Sequence, residues 1–205
     1  MLGSKQKPVC IFIPQNKLCA VGKTYDLLHD LRINSLTCHY LMNIQDVMPI
    51  EIGTTKKGHA NIVMFAHYHP SWPNVKMLNN KFCEIDWNST FNSKSLWFGH
   101  VCFGETLFQK YNIQNWVSYS DNISLIFGQP NINERYVAFF KQVITIVESC
   151  NKIEDIYDEI ITLYYTEIRF LKMHRRNNLE YELLLPYIYS NLKKIRMRRS
   201  VAILN

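Results

Sequence analysis

The chain has 205 residues, 47% of them apolar and 13% aromatic. That is enough core-forming material for one sizeable domain, and it excludes a disordered chain. No stretch approaches the run of about 20 apolar residues that a membrane helix needs, so no membrane partner is expected. The net charge of +6 is gathered at one end: from Lys172 onward eight Lys or Arg stand against Glu180 and Glu182, and the rest of the chain balances. This basic end, KMHRRNN through LKKIRMRR, reads as a solvated helix terminus. It lacks the interleaved stacking aromatics of a nucleic-acid surface, and no nucleic-acid partner is expected.

Taken in chain order, VCIFI (9–13) is a short apolar run bracketed by Pro8 and Pro14. It reads as a first strand and not as an export signal, because no small-residue cleavage site follows, and a cytoplasmic location is the expectation. Gly22-Lys23-Thr24 imitates the end of a phosphate-binding loop, but Lys17 occupies the position of that motif's first glycine. A close backbone cradle for phosphate is therefore not expected. TYDLLHDLRI (24–33) has helical spacing, and SLTCHYLM (35–42) reads as a second strand. ANIVMFA (60–66) is the clearest strand, β-branched and apolar without alternation, as in a strand covered on both faces. SLWFGHV (95–101), NWVSY (115–119) and ISLIFG (123–128) read as further strands.

Helices dominate the remainder. Val137, Phe140, Val143, Ile144 and Val147 recur at helical spacing, as do Ile153, Ile156, Ile160, Tyr164, Ile168 and Leu171. LEYELLLPYIYSNLKKIRMRR reads as helical, with Pro186 starting or kinking a segment. Strands separated by helices or long connections predict an α/β fold with a mostly parallel sheet covered on both faces. There is no internal repeat and no Gly/Ser linker. One domain is expected, an α/β part at 1–171 and a basic helical extension at 172–205.

The chemistry concentrates in two short stretches, FAHYHP and FGHVCFG, each ending an apolar run. The first supplies His67 and His69, the second His100 and Cys102. In open α/β sheets catalytic groups collect at the carboxyl ends of neighbouring strands. If the two strands are neighbours and parallel, His67 and Cys102 share an edge. Four N/S ligands suit a tetrahedral zinc, but all four must then converge. A Cys activated by a nearby His needs fewer coincidences. Gly104, two residues after Cys102, would let the chain turn sharply and expose backbone amides near the sulfur. The spacing alone leaves open which of His67 and His69 would partner Cys102. The other Cys are widely spaced, with no CxxC, and read as small apolar residues rather than a disulfide framework.

The pattern of apolar strand then His (NIVMFAHYHP), followed by apolar strand then Cys-x-Gly (SLWFGHVCFG), resembles the caspase-like cysteine peptidases, including the bacterial CHAT-type proteases. NWVSYSDNISLIFG and the amphipathic helix after it resemble the segment that follows the Cys in CHAT-like domains. The resemblance spans roughly residues 8–170 and rests on short motifs. It implies a three-layer α/β/α fold and peptide-bond hydrolysis, with Cys102 as nucleophile and His67 as general acid/base. In that family a Gly normally follows the His and its N–H lies close to the oxyanion; here Tyr68 stands there. If the residue after the His supplies that donor, the resemblance favours His67 over His69, whose follower Pro70 has no N–H. His69 and His100 are then supporting residues, His100 either orienting the site or packing. Asp121, after the next strand, is a candidate specificity residue for a basic substrate side chain, and a turn residue otherwise. The resemblance implies no cofactor and no metal. The implied partners are a protein substrate and an activating partner or ligand, as for a gated effector. The alternatives are an inactive binding or signalling module, and a zinc-binding hydrolase on His67, His69, His100 and Cys102.

Overall fold

The computed structural model describes residues 60–75 and 94–199 in full, together with the backbone of four short strands before them. Those strands are β1 (Val9–Phe12), β2 (Cys38–Leu41), β3 (Thr54–Thr55) and β4 (Gly58–His59). They are followed by β5 (Asn61–Ala66), β6 (Trp97–Val101), β7 (Trp116–Tyr119) and β8 (Ile195–Arg198). The helices are α1 (Gly104–Lys110), α2 (Pro130–Ser149), α3 (Ile153–His174) and α4 (Leu179–Leu192). The expected helix at 24–33 and the Gly22-Lys23-Thr24 stretch lie outside the described residues.

Six strands form one sheet in the order β2-β1-β5-β6-β7-β8. The pairs β1–β2, β1–β5, β5–β6 and β6–β7 are parallel, and β8 closes the far edge antiparallel to β7. A separate two-stranded ribbon pairs β3 with β4. The α/β class and the mostly parallel sheet read from the sequence are therefore observed.

Period-two alternation sorts the strand side chains into two cores. Val63, Phe65, Phe98, Val117 and Tyr119 face the long helices and pack with Phe140, Val143 and Val147 of α2, Ile156 and Ile160 of α3, and Leu184 and Ile188 of α4. Ile62, Met64, Ala66, Trp97, Val101 and Trp116 belong to the other core, with Leu107 and Phe108 of α1. Burying each such aromatic or branched side chain contributes about 1.5–3 kcal/mol before entropy is set against it. Every residue of β5 is buried, which is why its sequence carries no polar alternation.

Two stretches depart from the sequence reading. ISLIFG (123–128) is not a strand but an irregular connection, because the place beside β7 is taken by β8. Its backbone N–H groups turn to side chains instead: Ser124 N–H donates to Asn191 Oδ1 (2.9 Å) and Ile126 N–H to the Tyr136 hydroxyl (3.3 Å). The basic end is not helical throughout. α4 stops at Leu192, and Ile195–Arg198 is the edge strand β8, with Ile195 buried and Arg196 and Met197 exposed.

Candidate active site

β5 and β6 are adjacent and parallel, and Ala66 is the register partner of Val101 at their carboxyl ends. His67 and Cys102 are the next residues on the two chains. Neighbouring strands run about 4.8 Å apart, so the two residues stand at the same edge of the sheet, at the ends of adjacent strands.

His67 is half-buried, and its ring meets Trp72 edge-to-face with centroids 5.0 Å apart. His69 is exposed. Its Nδ1 accepts from the Ser71 N–H at 3.2 Å and pairs with the Ser71 hydroxyl at 2.7 Å. Its ring also lies edge-to-face on Phe103, centroids 5.5 Å apart. The turn after the His residues is clamped by α1: Lys110 Nζ donates to the carbonyls of Trp72 (3.2 Å) and Pro73 (2.8 Å), and the Tyr111 hydroxyl donates to Pro73 (2.7 Å). Tyr68 is 1% exposed and belongs to the α1-side core.

Cys102 is half-buried, and its Sγ accepts the Ile123 N–H at 3.4 Å. The sharp turn after it is made by Phe103, whose φ of 52° and ψ of 34° are left-handed, and not by Gly104. Gly104 is the first residue of α1, and its smallness has another cause: a Cβ there would lie 1.9 Å from Ser118 Oγ. The bare backbone lets α1 press onto β7, where Ser118 Oγ donates to the Gly99 carbonyl at 2.7 Å. The Phe103 N–H is committed to the Asp121 carbonyl at 3.2 Å. Asp121 is exposed, and its Oδ1 accepts the Asn122 N–H at 2.6 Å, as a turn residue does.

His100 does not join this group. It is buried among Phe65, Tyr119 and Phe140, with ring centroids 5.7, 5.4 and 5.0 Å away. Neither ring nitrogen has a hydrogen-bond partner among the described residues. Burial pushes its pKa down from 6.5 to about 3, so it is neutral at physiological pH. The strand ends at Val101, before Cys102. Among the described residues no three His, Cys, Asp or Glu side chains gather as a metal cage requires.

Three residues absent from the sequence reading complete the surroundings. Ser118 accommodates α1, Lys110 holds the His loop, and Asn191 holds the loop over Cys102. Only Asn191 left a signal in the sequence: it continues the buried stripe of Leu184 and Ile188 on α4, where an apolar residue is the rule. Comparison with protein-family models, curated proteins and solved structures returns no match for this chain.

Proposed function

We propose that the chain is a caspase-like cysteine endopeptidase on a three-layer α/β/α fold, with Cys102 as nucleophile and His67 as general acid/base. The observation that carries this reading is the register of β5 on β6, which leaves His67 and Cys102 side by side at the carboxyl edge of a parallel sheet. The proposed chemistry is covalent. His67 takes the thiol proton, the Cys102 sulfur attacks the scissile carbonyl, and the protonated His67 returns the proton to the departing amine. Water, with His67 as base, then releases the acyl group. The Ile123 N–H on the sulfur favours the thiolate. Asp121 is an exposed carboxylate on the loop that binds Phe103, which favours a basic side chain before the cut. The enzyme is read as a cytoplasmic effector whose gating partner or ligand raises a basal cleavage that the purified chain already shows.

The test is cleavage of a peptide library by the purified protein, alongside Cys102→Ala and His67→Ala. Cleavage and Cys102 labelling by a peptidyl chloromethyl ketone are expected from the parent and lost in both variants. Cleavage that survives Cys102→Ala removes the reading. A second reading, an inactive binding module of the same fold, is favoured by Tyr68 standing where the resembling family has Gly. A folded parent that neither cleaves nor labels selects it.

A further inference from the structure

The Cys102 sulfur receives its N–H donor from a loop with no regular structure, residues 120–124, and that loop is held from far along the chain. Asn191, 1% exposed near the end of α4, pairs with Ser124 as a strand neighbour would. Its Oδ1 accepts the Ser124 N–H at 2.9 Å, and its Nδ2 donates to the Ser124 carbonyl at 2.8 Å. Lys194 Nζ donates to the Asn122 carbonyl at 2.6 Å. The Lys194 carbonyl accepts the Ser120 N–H at 2.8 Å and the Ser120 hydroxyl at 3.2 Å. Ile123 lies between these anchored residues, and its N–H is the group on Cys102 Sγ.

We propose that Asn191 and Lys194 are positioning residues of the Cys102 site. Acting through the Asn122–Ser124 loop, they hold the Ile123 N–H against the sulfur and so set how readily the thiol ionises. The α4–β8 junction then regulates the nucleophile. This inference rests on the reading of Cys102 as that nucleophile. The physical reason is directional. A buried amide side chain that satisfies both backbone groups of one residue fixes that peptide in position and orientation. An N–H aimed at a sulfur stabilises its anion over its neutral form. Without Asn191 the Ser124 N–H and carbonyl lose their partners, the loop turns toward water, and the sulfur loses its donor.

The test uses the full-length protein. The rate of Cys102 alkylation by iodoacetamide is followed by peptide mass between about pH 5 and 10, where thiols titrate. Asn191→Leu is compared with Lys194→Met, which removes only an ammonium group at the surface. Leu184→Ala serves as a control, because it opens a cavity on the same helix and leaves the Asn191 and Lys194 hydrogen bonds to the loop in place. The expected result is an upward shift of the alkylation midpoint by about one pH unit in Asn191→Leu. A smaller shift in the same direction is expected in Lys194→Met, and none in Leu184→Ala, which lowers only the melting temperature. Unmoved midpoints in the folded variants overturn the proposal, as does an equal shift in Leu184→Ala. If Asn191→Leu does not fold, Lys194→Met decides alone. Peptide cleavage is read on the same samples. Shifted midpoints without cleavage by the parent break the peptidase reading and leave the positioning role standing; cleavage with unmoved midpoints does the reverse.

Discussion

The β5–β6 pair has two ends built from similar polar residues and used in opposite ways. At the amino end Asn61 and Ser95 are buried, and their hydrogen bonds are turned inward. Asn61 Nδ2 donates to the carbonyls of Val147 (2.8 Å) and Cys150 (3.3 Å), while its Oδ1 accepts the Leu96 N–H (3.3 Å). Ser95 Oγ donates to the Ala60 carbonyl at 2.6 Å. This knot ties the end of α2 to the sheet. At the carboxyl end His67 and Cys102 are half-buried and His69 is exposed, and the chain leaves in loops held by side chains from α1, α4 and the α4–β8 turn. A parallel sheet can be fastened at one end and open at the other because all its strands exit on the same side. Fastening where nothing reacts leaves the reactive edge accessible without loosening the core.

Substitutions at the two ends should therefore separate activity from stability. The largest expected effect is at the open end: Cys102→Ala lowers peptide cleavage by about 10⁴-fold or more, while the urea midpoint stays close to that of the parent. Asn61→Ala should do the opposite. It strips the Val147 and Cys150 carbonyls and the Leu96 N–H of a buried partner and costs about 2–4 kcal/mol in urea denaturation, with Cys102 alkylation per folded molecule unchanged. An alkylation rate that falls with stability in Asn61→Ala would dissolve the distinction between the ends.

Gly104→Ala tests the seam between them. Its Cβ would collide with Ser118, costing about 1–3 kcal/mol and slowing Cys102 alkylation. Ser118→Gly in the same chain should recover most of the loss, a coupling read from the four-membered cycle of variants. His100 gives the comparison a pH axis. Its pKa is about 3 in the folded chain against 6.5, so below pH 6.5 the unfolded state takes a proton that the folded state refuses. Stability should fall by about 1.4 kcal/mol per pH unit as the pH drops from 6.5 toward 3. His100→Leu should remove that component from the pH-dependent unfolding curve. The smallest expected effect is at Lys110→Met, which removes the ammonium donor from the Trp72 and Pro73 carbonyls at the surface and leaves the Tyr111 hydroxyl on Pro73. Cleavage should slow by about tenfold or less, with no measurable change in the urea midpoint.

Residues that repeat a period were legible in the sequence. The unbroken apolar run of β5 and the stripe Ile153, Ile156, Ile160, Tyr164, Ile168 and Leu171 of α3 predict buried elements, and all six α3 positions are buried. His67 and Cys102 could be singled out because each directly follows such a run. ISLIFG misled for the opposite reason. Its composition suits a strand, but a strand also needs a free neighbour, and β8 occupies that edge of β7. His100 kept two readings, orienting the site or packing, because a histidine looks alike in a sequence whether it faces solvent or an aromatic core; the structure packs it among Phe65, Tyr119 and Phe140. Gly104 was given the turn that Phe103 makes, since the close approach of Ser118 from β7 leaves no mark near position 104.

By itself the sequence determined which segments are strand and helix wherever hydrophobic periodicity is strong, and it marked the two strand ends that carry a His and a Cys. Those properties are local, set by side-chain spacing along a few residues. The tertiary structure alone decided that β5 and β6 are neighbours in parallel register. It also decided that β8 covers the edge of β7, and that Asn191 and Lys194 reach the loop over Cys102. These facts depend on contacts between residues as much as 82 positions apart, the separation of the register partners Trp116 and Arg198. Such contacts are selected by the packing of whole elements, and no short-range pattern encodes them.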